Sequence, residues 1–209
     1  MKLYYAPGAC SLSDHIVLEW IGNPYEAQKV SREELKSADF LRLNPAGAVP
    51  VFEDEGWVLT QNAAILNYLA DTFPDAKLGG DGSARSRAEV NRWLAFVNAD
   101  VHPTFKPLFG TTSYLGDDAA IANSKEHART ALKGLFARAD AQLANNAWIA
   151  GERSIADVYL YVVLRWAKAN EVDLSAMDHL AKFVARMEAD PAVRKVLAEE
   201  GIGRASPSS

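Results

Sequence analysis

Strand-like sequence is confined to the opening stretch of this chain, up to Leu59, and that restriction limits what it can fold into. Leu3-Tyr4-Tyr5 is a short apolar run halted by Pro7-Gly8, a strand followed by a turn. Ser11 to Gly22 carries Leu12, Ile16, Leu18 and Trp20 on a helical stripe and stops at Gly22-Asn23-Pro24. Tyr25 to Val30 alternates as a half-buried strand does, and Pro50-Val51-Phe52 and Trp57-Val58-Leu59 flank Glu53-Asp54-Glu55-Gly56 as the arms of a hairpin. Ala63 to Thr72 is helical again. Beyond Leu78-Gly79-Gly80-Asp81-Gly82-Ser83 the period changes for good: Val90, Trp93, Leu94, Val97 and Val101 recur at helical spacing, as do Leu132, Leu135, Phe136 and Leu143. Ile155 to Ala169, Ala176 to Glu188 and a short helix opened by Pro191 complete the pattern. An α/β unit followed by an all-α unit is the architecture that satisfies both periods. We place the first at 1–78, a linker at 79–86, the helical unit at 87–203 and a flexible tail at 204–209.

Composition narrows the function classes. The 209 residues are 49% hydrophobic, enough for a real core without disulfide staples. With 22 basic against 27 acidic residues, net −5, the chain lacks the electrostatic footprint of a nucleic-acid partner. The longest strongly apolar run, Val158 to Leu164, falls short of the roughly 20 residues of a spanning helix, and no leader-like segment opens the chain. The cytoplasm is the expected location, with no membrane partner. His15, His127 and His179 are dispersed without ligand spacing, so no metal is expected.

Cys10 is the single cysteine, so it makes no internal disulfide. It falls where the first strand hands over to the first helix, and unpaired N–H groups at a helix start stabilise a thiolate. Cys10-Ser11-Leu12-Ser13 has the spacing of a Cys-x-x-Cys redox motif with the second sulfur replaced by oxygen. Two readings stand side by side: a small buried residue, or a working thiol whose partner comes from outside. Val49–Pro50 is either a plain loop proline or, if cis, a device that turns the Val49 backbone outward toward an extended peptide. Thr60-Gln61-Asn62 caps a second helix start, which is ordinary capping or a carboxylate site.

The run Met1 to Ile16, with Pro7-Gly8-Ala9-Cys10-Ser11-Leu12-Ser13, closely resembles bacterial beta-class glutathione transferases. The likeness continues through Asn44 to Pro50, Trp93 to His102 and Ser154-Ile155-Ala156-Asp157-Val158-Tyr159. The resemblance implies a thioredoxin-like N-terminal domain that binds glutathione, an all-helical C-terminal domain, electrophiles entering between them, and a homodimer. It implies no cofactor beyond glutathione as co-substrate. It assigns Cys10, Ser11 and His102 to catalysis, with Ser11 a second hydroxyl donor and His102 reaching toward the thiol. Tyr5, Lys36, Val49, Pro50, Gln61, Asn62 and His102 are implied for glutathione, and Phe105, Phe109 and Trp166 for the electrophile. Ser154 and Asp157 form an N-capping box, a folding element. Three positions depart from the family: Gln61 for a frequent glutamate, Ala95 for an asparagine, and Pro103 for a lysine. A charge-assisted hydrogen bond contributes roughly 1.5–3 kcal/mol, so the departures weaken glutathione binding without abolishing it.

Conjugation of glutathione thiolate to small hydrophobic electrophiles, in detoxification, is the leading expectation. Glutathione-dependent thiol–disulfide exchange through Cys10 is a second. A non-catalytic binding or interaction protein on the same fold is a third.

Overall fold

The computed structural model describes residues 1–203; the tail expected at 204–209 lies outside them. The described chain forms two compact units: Met1–Gly79 together with the residues from Met187 onward, and Gly80–Arg186.

In the first unit, strand β1 (Lys2–Tyr5) leads to helix α1 (Ser11–Ile21), strand β2 (Glu26–Lys29), helix α2 (Ala38–Leu43), the hairpin β3 (Val51–Asp54) and β4 (Trp57–Thr60), and helix α3 (Asn62–Thr72). The sheet order is β2-β1-β3-β4, with β1 and β2 parallel and the other pairs antiparallel. Pairing Leu3 with Phe52 and Tyr4 with Val51 sets which side chains share a face. Tyr4 and Val51 pack with Val30 and Phe40 on one side, while Leu3, Phe52 and the α1 residues Leu12, Ile16 and Leu18 are wholly buried. Helix α1 stops at Gly22, whose left-handed φ of 76° closes the last turn through its N–H on the Leu18 carbonyl. β2 is an edge strand with exposed residues throughout, not the half-buried strand its alternation suggests, because only β1 pairs with it.

The last helix, α9 (Pro191–Glu199), packs on α1. Asp190 caps it by accepting from the Ala192 and Val193 N–H groups, and the Trp20 indole donates to Asp190 at 3.2 Å. Lys195 pairs with Glu19 at 2.7 Å. Sequence reading groups residues 191–203 with the helical half; their packing joins them to the sheet-bearing unit.

The second unit is helical among its described residues. Helix α4 (Ala84–Ala95) runs into a wider π-helical turn (Phe96–Val101) and a short helix α5 (His102–Thr104). Pro103 supplies the reason: it offers no N–H to the ladder and its ring crowds the carbonyl four residues back. Helices α6 (Asp118–Leu143), α7 (Ile155–Ala169) and α8 (Asp178–Ala189) follow. Every residue from Ile155 to Leu164 is buried, which identifies α7 as the central helix. Its start is held by the expected capping box: Asp157 accepts from the Ser154 and Ile149 N–H groups, each at 2.8 Å, and Ser154 from the Ala156 N–H. Among the described residues no helix is long and apolar enough to cross a membrane, and no side-chain group is suited to a metal ion.

Candidate active site

The loop from β1 to α1 is held by its own backbone and by a distant helix end. Ser11, fully buried, packs its hydroxyl against both the N–H (3.3 Å) and the C=O (3.4 Å) of Ala6. Gly8 takes a left-handed φ of 71° and donates its N–H to the Glu200 carboxylate at 2.9 Å. Glu200, just past α9, also contacts His15 Nδ1 at 2.9 Å, and both side chains are buried. This strap fastens the loop to α9, and no periodic pattern in the sequence announces it. Ser11 is therefore spent on the loop backbone and is not a hydroxyl donor beside the thiol: its side chain points inward.

Cys10 ends the loop in helical backbone geometry, half-buried, with its thiol 3.7 Å from the Val49 carbonyl oxygen. The Val49–Pro50 bond is cis. Two distant segments thus meet at one sulfur. The thiol does not follow the expectation of a stabilised thiolate. Burial, reinforced by the Asp14 carboxylate, pushes it up to about 12, against the opposing pull of the Ser11 and Cys10 N–H groups. A helix terminus contributes about 0.3–1 kcal/mol near the surface, and burial of a charge costs more than that. Cys10 is a neutral S–H donor.

Beneath Cys10 lies a buried polar cluster. Ser13 donates its hydroxyl to the Cys10 carbonyl at 2.7 Å. The Asn62 amide, oriented to satisfy its neighbours, donates to the Cys10 carbonyl (3.1 Å) and Asp14 Oδ2 (2.7 Å) and lies beside the Ser13 hydroxyl. Asn62 therefore spends its side chain joining the starts of α1 and α3, and no side chain caps the α3 terminus. Gln61, exposed just before it, holds a φ of 76° and ψ of 112°. For a non-glycine residue such backbone costs on the order of 1–3 kcal/mol and is characteristic of functional sites.

One expected glutathione contact falls elsewhere. The Tyr5 ring lies 5.1 Å from His15 and lines a cavity of about 570 Å3 with Glu19, Tyr25, Lys195 and Glu199, on the α1 side rather than in the Cys10 cluster. Lys36 is exposed in the turn Glu34–Lys36, next to Leu35, which packs in the same apolar cluster as Val49. Pro50 is buried and leads into β3.

In the second unit the rings of His102, Phe105, Phe109 and Trp166 come together. The Trp166 ring meets His102 at 4.7 Å, Phe105 at 5.5 Å and Phe109 at 5.3 Å, all edge-to-face, and Phe105 stacks on Phe109. Phe105 is wholly buried while Phe109 is 50% exposed, so the group presents an apolar face outward. His102 Nδ1 lies 2.5 Å from the Tyr159 hydroxyl, which in turn donates to Asn98 at 3.4 Å. That chain fixes the ring's orientation through Nδ1. Burial, with a smaller push from Lys106, lowers the His102 pKa, so the ring is neutral. Tyr159 and Asn98 were not singled out from sequence, although Tyr159 sits beside the recognised capping box.

Residues 1–71 match the glutathione S-transferase N-terminal domain model and 87–191 its C-terminal counterpart. The chain is 59% identical over 203 residues to glutathione S-transferase GST-4.5 of Xanthomonas campestris pv. campestris, covering 97% of this chain and all of that one. A solved glutathione S-transferase from Xylella fastidiosa superposes with a TM-score of 0.94 at 53% identity, over 96% of this chain and 98% of that one. A bacterial beta-class enzyme from Sphingomonas chungbukensis gives 0.86 at 38% identity, over 97% of this chain and 100% of that one. The chain belongs to the glutathione S-transferase family and groups with its bacterial beta-class members.

Proposed function

We propose that this protein joins the thiolate of glutathione to small hydrophobic electrophiles. The observation that carries the reading is the Cys10 thiol donated to the Val49 carbonyl at the start of α1. A neutral S–H donor beside a helix N-terminus suits an incoming sulfur anion; it does not suit a nucleophile of its own. In the proposed reaction the glutathione thiol loses its proton, its sulfur bonds the electrophilic carbon, and halide or another leaving group departs with the displaced electron pair. The backbone of Val49, the α3 start at Gln61 and Asn62, and Lys36 are the proposed glutathione contacts, with Ser11 and Glu200 as positioning residues of the loop. His102, whose ring is neutral, is the residue proposed to take up the thiol proton. Phe105, Phe109 and Trp166 offer the electrophile an apolar face. We take the assembly to be a homodimer in the cytoplasm, with no cofactor beyond glutathione and a role in detoxification.

The test is chlorodinitrobenzene with glutathione. Product formation that scales with protein and saturates in both substrates is expected; a rate no higher than background overturns the reading. Thiol–disulfide exchange would need the Cys10 sulfur itself to attack, so Cys10→Ala should abolish exchange while conjugation persists. A storage or interaction role predicts retention on immobilised glutathione without turnover.

A further inference from the structure

The cavity on the α1 side of the first unit has no part in the proposed conjugation. Its volume of about 570 Å3 falls among those of small-molecule sites. Tyr5 of β1, His15 and Glu19 of α1, Tyr25 just before β2, and Lys195 and Glu199 of α9 line it, all within one compact unit. The two phenol rings flank the His15 imidazole, Tyr5 at 5.1 Å and Tyr25 edge-on at 5.7 Å. His15 is 1% exposed, and its two nitrogens differ. Nδ1 lies 2.9 Å from Glu200, a carboxylate outside the lining, and a carboxylate takes the N–H. Nε2, 3.4 Å from the Glu199 carboxylate, makes no hydrogen bond among the described residues. A buried ring nitrogen without a partner is costly, and this one belongs to a residue that lines the cavity.

The charge around that nitrogen is negative. Lys195 sits 2.7 Å from Glu19 and reaches Glu199 only at 4.0 Å, so one lysine is shared by two lining carboxylates while Glu200 stands behind His15. The C-terminal end of α1, at Gly22, forms another edge, and its last turn carries no basic side chain. That end of a helix dipole favours a cation. Tyr25 feels the same field: burial pushes its phenol up, and Glu19, Glu199 and Glu200 push it further. Among the described residues no side-chain group is suited to a metal ion, and the walls are aromatic. We propose that this cavity binds a small organic cation, a primary ammonium on a flat apolar body. The ammonium donates to Glu199 and to His15 Nε2, and the body lies against Tyr5 and Tyr25, whose ring faces attract positive charge. The proposal does not rest on the glutathione reading.

Phenethylammonium, phenethyl alcohol and phenylacetate share a ring and a short chain and differ in charge. Each is titrated calorimetrically into the full chain without glutathione, at about pH 8, where an alkylamine stays protonated. The cation should saturate the protein in roughly the millimolar range and bind about tenfold more tightly than the alcohol, with the anion weaker still. Glu199→Gln should weaken the cation about tenfold, and Lys195→Gln, which removes the competing positive charge, should tighten it a few-fold. A merely structural role for these half-exposed side chains would not give shifts of opposite sign. The His15 imidazole resonances should move with the same midpoint as the heat, which places the ligand in this cavity. Phenylacetate binding as tightly as the cation overturns the proposal, as does the absence of saturable binding below about 10 mM. So do variants that shift affinity in the same direction or not at all, and binding that leaves the His15 resonances unmoved.

Discussion

Around Cys10 the chain gathers Gly8, Ser13, Asn62, Val49 and Glu200, drawn from both ends of a unit and joined by polar contacts across up to 192 positions of sequence. Around Trp166 it gathers His102, Phe105 and Phe109, spaced three and four residues apart along one stretch of chain. The first region handles charge and is built from hydrogen bonds that must all be made at once. The second offers apolar area and is built from ring contacts that tolerate exchange. An unpaired buried donor or acceptor costs about 1–3 kcal/mol, whereas an aromatic pair contributes about 0.5–1.5 kcal/mol beyond its burial. Damage should therefore be sharp and global in the first region, graded and local in the second.

The largest effect is expected at Glu200. Glu200→Ala removes the carboxylate that accepts from the Gly8 N–H and contacts His15 Nδ1, and urea unfolding should show a loss of about 3 kcal/mol. A loss below about 1 kcal/mol would mean that the strap is ornamental and would break the contrast. His102→Ala should lower kcat/KM for conjugation by about a hundredfold, or 2.7 kcal/mol of barrier, if its free nitrogen accepts the thiol proton. The same ring gives a pH prediction. Its pKa lies below the ordinary 6.5, so its base form persists as pH falls through that value, and any acid limb owed to His102 appears below pH 6.5. An acid limb centred above 6.5 and abolished by the substitution would contradict the assignment. Ser154→Ala, which removes the hydroxyl cap of α7, should cost about 1 kcal/mol of stability in thermal or urea unfolding and leave KM for glutathione unchanged. The smallest effect belongs to Phe109→Ala. The side chain is half exposed, so stability should hardly move while KM for the aromatic electrophile rises a few-fold.

The same contrast explains what the sequence made legible. Ile155 to Ala169 is a helix with the bounds its period predicts, and Ser154 and Asp157 cap it, because stripe and cap are local signals. The placement of Cys10 at a helix start was readable from Pro7-Gly8 and the stripe after it. Its protonation state was not, since that depends on Asp14 and on burial by segments such as Val49 and Asn62, far along the chain. Likewise nothing periodic ties Glu200 to Gly8, and Ser11 looks like a free hydroxyl until Ala6 folds back over it.

If Cys10 assists a foreign thiolate as a hydrogen-bond donor, steady-state conjugation of chlorodinitrobenzene should survive its removal in Cys10→Ala, measured beside the wild type. Loss of one hydrogen bond of about 1 kcal/mol should reduce kcat/KM by no more than about tenfold. A fall of a thousandfold or more would mean that the Cys10 sulfur is itself the nucleophile.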